Sequence, residues 1–117
     1  MSKIVQAVNS MIANKEKISN VMEKKGEFYF LYDEKHRWSI RYDDDLEDYW
    51  LYYYKTTAST ESLASMENFA GINFIVYRAK IIGTKEAFST FRDLFQLLQE
   101  KVLGIDEVLD DIIGDYV

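Results

Sequence analysis

One histidine, no cysteine and twenty carboxylates are the material from which any chemistry in this 117-residue chain would have to be built. His36 stands in the polar turn Asp33-Glu34-Lys35-His36, between Lys35 and Arg37. Two flanking cations give it an electropositive setting with no evident base to pair with and no nucleophile to serve, so acid-base catalysis finds no partner there. Thiol chemistry is excluded, and one His without Cys falls short of the ligand sets that zinc normally takes. The run Asp43-Asp44-Asp45-Leu46-Glu47-Asp48 invites a calcium reading. It lacks the glycine required at the sixth loop position, however, and Tyr54 stands where the twelfth-position glutamate belongs. The sequence therefore assigns no catalytic residue, no metal site and no cofactor, and ranks an enzyme third among the readings.

What remains is recognition. Asp43 to Asp48 holds five carboxylates in six residues, and five more lie between Asp106 and Val117, in a chain of net charge −6 and pI near 4.8. That balance argues against nucleic acid, whose phosphates are bound by clustered lysine and arginine. The helix pair expected around Gly104 has a faint helix-turn-helix look, but its second helix carries Asp106, Glu107, Asp110 and Asp111 and would be repelled by DNA. A basic protein is the natural partner, and acidic segments that converge in space would speed its encounter.

The first expectation is a small acidic cytoplasmic interaction protein, such as an inhibitor, an immunity-type protein or an adaptor. It would grip a basic macromolecule through Asp43, Asp44, Asp45, Glu47 and Asp48 together with Tyr49 and Tyr53, since tyrosine is enriched where proteins meet. Tyr29, across the sheet, would extend that surface. The alternative is a ligand-binding or sensor-like domain in which Arg37 and Arg41, on the wet face of one strand, enclose with Tyr29 an anionic or aromatic molecule. Homodimerisation through an edge strand or the wet sheet face is compatible with both.

The elements that must position these residues follow from hydrophobic period. Phe28 to Lys55 carries eleven of the eighteen aromatic residues in three runs that alternate as strands do. Phe28, Phe30 and Tyr32 share a face, and Trp38, Ile40 and Tyr42 oppose Arg37, Ser39 and Arg41. In the third run Trp50, Tyr52 and Tyr54 are assigned to the core and Tyr49 and Tyr53 to the other side. Before this meander, Ser2 to Lys25 has helical spacing at Ile4, Val5, Val8, Met11, Ile12, Ile18, Val21 and Met22, with Gly26 as its stop.

After the meander, Ser59 or Thr60 caps a short helix through Glu61, Leu63, Met66 and Phe69 that Gly71 ends. Ile72 to Ile82 contains a fourth strand, whose parallel or antiparallel placement the sequence leaves open. Thr84 caps the best helix, with Ala87, Phe88, Phe91, Leu94, Phe95, Leu98 and Val102 on one face, and Gly104 closes it. Asp106 caps a last helix that turns Val108, Leu109, Ile112 and Ile113 inward, with Tyr116 and Val117 anchoring the end.

These elements predict a single α+β domain over residues 1–117, in the order α-β-β-β-α-β-α-α. It is a two-layer sandwich in which N- and C-terminal helices cover a four-stranded, mainly antiparallel sheet, a β-meander plus one strand. Phe91 and Trp50 are both expected in its core. No apolar run approaches the roughly 20 residues of a membrane span, and Gln6, Asn9, Ser10 and Asn14 interrupt any signal-peptide core, so a cytoplasmic location is expected.

Overall fold

The computed structural model describes residues 2–115. Helix α1 (Lys3–Ala13) starts where the Ser2 hydroxyl accepts the Val5 N–H, and it buries Val5, Val8 and Met11. The helix ends there. A 3₁₀ turn, Lys15–Lys17, leads into strand β1 (Ile18–Lys24), so the helix expected over Ser2–Lys25 is in fact a helix and a strand. A β-bulge is the physical reason for the ambiguity. Ser19 and Met22 stand opposite Leu31 and Tyr29, three steps on β1 against two on its neighbour, which inserts one extra residue. Ile18 and Val21 consequently face the core together, at the i, i+3 spacing that also describes a helix.

Strand β1 returns into β2 (Glu27–Tyr32) through Lys25 and Gly26, both at positive φ, the backbone of a two-residue type I′ hairpin. Gly26 is thus a hairpin residue and not a helix stop. The meander continues through β3 (His36–Asp43) and β4 (Asp48–Lys55), and β5 (Asn73–Arg78) then pairs antiparallel with β4. The sheet has five strands in the order β1-β2-β3-β4-β5, one more than the sequence predicted, and every neighbouring pair is antiparallel.

Register decides which face is which. Phe28 lies opposite Ile40 and Ile40 opposite Leu51, so these three, with Phe30, form the floor of the main core. Its roof is α1 and the long helix α4 (Lys85–Leu103), which contribute Val8, Met11, Phe91, Leu94 and Leu98. Leu51 fixes β4 in this pairing. Tyr49 and Tyr53 therefore lie on the face covered by α1 and α4 and Trp50, Tyr52 and Tyr54 on the other, the reverse of the expected facing, although Tyr54 is buried there as expected of a core residue.

The second face has its own smaller core. Helix α2 (Thr60–Ser65), capped by Ser59, lays Leu63 and Ala64 over Tyr29 and Tyr54. Strand β5 ends earlier than Ile82, because Ala79–Ile82 turns into a short helix, α3, closed by Gly83 at positive φ. Thr84 caps α4 as predicted, its hydroxyl accepting the Ala87 N–H at 3.1 Å, and Gly104 ends it in the left-handed conformation. Helix α5 (Ile105–Gly114) follows at once and buries none of its residues. Val108, Leu109, Ile112 and Ile113, expected inward, are 47–62% exposed. The anchoring role expected of Tyr116 and Val117 lies outside the described residues.

Candidate functional site

The acidic hairpin between β3 and β4 is divided by its own hydrogen bonds. Asp43 Oδ1 accepts the Leu46 N–H at 3.0 Å and its Oδ2 lies 3.5 Å from Arg41 Nη1. The Leu46 N–H, assisted by the Arg41 guanidinium, holds the Asp43 carboxyl below the usual carboxylate range despite slight desolvation. Asp48, the first residue of β4, is fully buried; its carboxylate accepts from Arg78 Nε at 2.9 Å and from the Lys80 N–H at 3.0 Å. Asp44, Asp45 and Glu47 remain exposed and make no ion pair among the described residues.

Of the tyrosines, Tyr49 is held under α4, with ring centroids 5.2 Å from Phe88 and 5.6 Å from Phe95. Tyr53 lies four residues further along β4, roughly 13 Å at strand rise, against Trp38. Tyr29 is on the opposite face from both, stacked on Tyr54. The surface that the sequence assembled from Asp43, Asp48, Tyr49 and Tyr53 is therefore distributed over two faces and two ends of the sheet.

The arginines have structural partners. Arg37 donates to the backbone carbonyls of Ala58 and Lys35 at 3.0 and 2.7 Å and to that of Thr57, tying the segment after β4 to the start of β3. Trp50 lies between Arg41 and Arg78 in register, and each guanidinium carbon sits 4.5 Å from the indole centroid. Arg41 also points its Nε at the Tyr52 hydroxyl, 3.4 Å away. Both guanidinium groups thus stack on one indole and face one carboxylate each, leaving little of either charge for a ligand. The cavity that Tyr29 lines is bounded by Lys24, Lys25, Glu27, Ala64 and Met66 and contains neither Arg37 nor Arg41.

A buried polar chain, which sequence reasoning missed, comes nearest to reactive chemistry. Ser39 Oγ donates to Glu27 Oε2 at 2.6 Å and lies 2.7 Å from the Tyr54 hydroxyl, with Ser39 and Tyr54 almost wholly buried. Among the described residues the Ser39 hydroxyl is hydrogen-bonded to Glu27 and Tyr54 and to no histidine or lysine that could activate it, so the chain acts as a pin between β2, β3 and β4. The alternation of Ser39 between two arginines was the available signal, since a small hydroxyl among large polar residues marks a place where the sheet face is covered.

Comparison with protein-family models, with curated proteins and with solved structures finds no match. Among the described residues no helix is long and apolar enough to cross a membrane, and no three His, Cys, Asp or Glu side chains gather where they could hold a metal ion.

Helix α5 is the feature that the packed domain leaves unexplained. Its apolar positions Val108, Leu109, Ile112 and Ile113 recur at helical spacing and are exposed, and Leu103 just before it is 76% exposed. Asp106, Glu107, Asp110 and Asp111 supply all of its charge, with no cation in the helix, and Asp115 follows as its C-cap. The hairpin carboxylates lie at the other end of α4, whose nineteen residues extend about 28 Å. That separation exceeds the screening length of about 8 Å in physiological salt, so the two acidic segments act as separate fields.

Proposed function

We propose that this chain is a small interaction protein whose partner is a basic macromolecule, and that α5 is the element it presents. The observation that carries the reading is the combination, on one ten-residue helix, of an uncovered apolar stripe with four carboxylates and no cation, followed by a fifth carboxylate at its C-cap, Asp115. Truly exposed stripes of this kind are costly in water and mark contact surfaces. The surrounding charge selects what comes to them: a partner with an apolar groove or stripe rimmed by Lys and Arg gains both burial and opposite charge, while an acidic one is repelled. Asp44, Asp45 and Glu47, at the far end of the molecule, form a separate negative field that is screened from this contact in physiological salt.

Inhibitor, immunity-type and adaptor roles all use such a surface, and the chemistry of the partner is common to the three. Affinity capture with the wild-type chain, with Ile112→Ser/Ile113→Ser and with Asp110→Lys/Asp111→Lys tests the reading at low and high ionic strength. A basic protein retained at low salt by the wild type, and lost with either variant, is the expected result. Capture that ignores both salt and the α5 substitutions would overturn it.

A further inference from the structure

The two edges of the sheet are treated differently. Strand β1 carries the bulge at Ser19–Met22 with Asn20 at positive φ, and the Thr60 hydroxyl of α2 donates to the Asn20 carbonyl at 2.7 Å. A twisted, covered edge of this kind does not template a further strand. Strand β5 shows neither a bulge nor a positive-φ residue, and among the described residues no side chain outside the sheet is hydrogen-bonded to it. It keeps unbroken register with β4 over six consecutive pairs, from Trp50–Arg78 to Lys55–Asn73, and contains no proline. Phe74 and Ile75, which point to opposite faces, are 46% and 52% exposed. On the helix-covered side this edge opens into a groove of ≈ 520 Å³ bounded by Trp38, Tyr53, Ile75 and Tyr77 and by Met11 of α1.

We propose that β5 pairs antiparallel with β5 of a second copy, joining the two sheets across a two-fold axis perpendicular to them. The occupant follows from symmetry and charge. Such an axis keeps each face on its own side, so a residue must meet one of the same parity. With the axis at Val76, Ile75 of one copy lies beside Tyr77 of the other at the mouth of the groove, and Phe74 lies beside the partner copy's residue 78, a guanidinium. Both contacts cover a side chain that the monomer exposes.

Charge removes the main obstacle to self-association in a chain of net charge −6. Residues 68–85 contain no carboxylate, none lines the groove, and Arg78 is neutralised by Asp48 at 2.9 Å. Two acidic copies therefore meet at the part of their surfaces with least repulsion, where a basic partner finds nothing to attract it. The strand edge alone spans only about 20 Å. A stable interface needs roughly 800 Å² per partner, so filling the groove with Ile75 is part of the interface and not an accessory.

This surface is separate from α5, and the experiment keeps the two apart. Sedimentation equilibrium of the wild-type chain should give twice the 13.8 kDa monomer mass. Ile75→Glu, placed on a half-exposed side chain, should give a monomer with an unchanged far-UV circular dichroism spectrum, whereas Ile112→Ser/Ile113→Ser should remain dimeric. Amide exchange of the wild type, read at two protein concentrations, should show β5 amides slowed at the higher one. A wild-type monomer at all attainable concentrations, a dimer lost with the α5 variant but kept by Ile75→Glu, or β5 exchange independent of concentration would each overturn the proposal.

Discussion

Asp48 Oδ2 sits 2.9 Å from Arg78 Nε while Asp48 itself is wholly removed from solvent. Its other oxygen receives the Lys80 N–H, so one carboxylate joins the start of β4, the end of β5 and the first turn of α3. Removing it leaves a guanidinium and an amide short of an acceptor. Asp48→Ala should therefore cost about 2–3 kcal/mol, less than a fully buried pair because Arg78 keeps some solvent. Asp48→Asn, which retains an acceptor, should cost less, and Asp45→Ala should leave the urea midpoint unmoved. Equal midpoints for the Asp48 and Asp45 variants would mean that the hairpin is one solvated acidic turn after all.

Trp50 and Phe91 lie on opposite faces of the sheet, and only Phe91 belongs to a core. Phe91 is sealed between α4 and the sheet, so Phe91→Ala should cost about 3–5 kcal/mol. Trp50 is partly exposed between two guanidinium groups, and its loss removes two cation–π contacts and part of an indole's burial. Trp50→Ala should cost about 2 kcal/mol, and Trp50→Phe, which keeps an aromatic face for both arginines, less than half of that. Denaturant titration of the three variants ranks them directly; a Trp50→Ala loss matching that of Phe91→Ala would contradict the face assignment.

Strand β1 imitates a helix in its apolar spacing, and the meander does not. The meander from Phe28 to Lys55 was legible as strands because none of them has a bulge, but the facing of β4 was not, since its aromatic residues occupy both faces. In β1 the bulge restores an i, i+3 apolar spacing, and Lys24-Lys25-Gly26 resembles a helix end because glycine serves both helix stops and hairpins. The backbone distinguishes them. Gly26→Ala should destabilise by about 1 kcal/mol although nothing lies within 4 Å of the added Cβ, since the strain is in φ alone. Lys25→Asn, at φ +52, should do the opposite and raise the thermal midpoint, because asparagine tolerates the left-handed region.

The candidate site was less legible than the fold for a related reason. Periodicity shows that Val108, Leu109, Ile112 and Ile113 form a stripe, but a stripe is the same whether the chain's own sheet or another molecule covers it. The carboxylates of the Asp43–Asp48 run likewise look alike in sequence, and only the packing of Arg78 and Lys80 separates Asp48 from Asp45. Ile112→Ser/Ile113→Ser should accordingly leave the thermal midpoint of the monomeric fold within about 1 °C, while Leu98→Ala should cost about 2–5 kcal/mol. A comparable loss for both would place α5 inside the folded core.

Alkaline pH tests the second, smaller core. Burial pushes the hydroxyls of Tyr29 and Tyr54 far above the ordinary tyrosine value of 10.0, with the charge of Glu27 adding to both. A folded-state pKa raised above the unfolded one contributes stability that is complete below the unfolded value and is lost as pH climbs past it. Above about pH 10 the unfolded chain releases protons that the folded chain retains, so unfolding free energy should fall with a slope approaching two protons from these residues. Tyr54→Phe removes one of them. It should be less stable at neutral pH, having lost the Ser39 hydrogen bond at 2.7 Å, yet lose stability more slowly between about pH 10 and 12. Urea titrations of wild type and variant across that range give the two slopes. Parallel slopes would mean that Tyr54 reaches water, and that α2 does not seal the face of the sheet on which it lies.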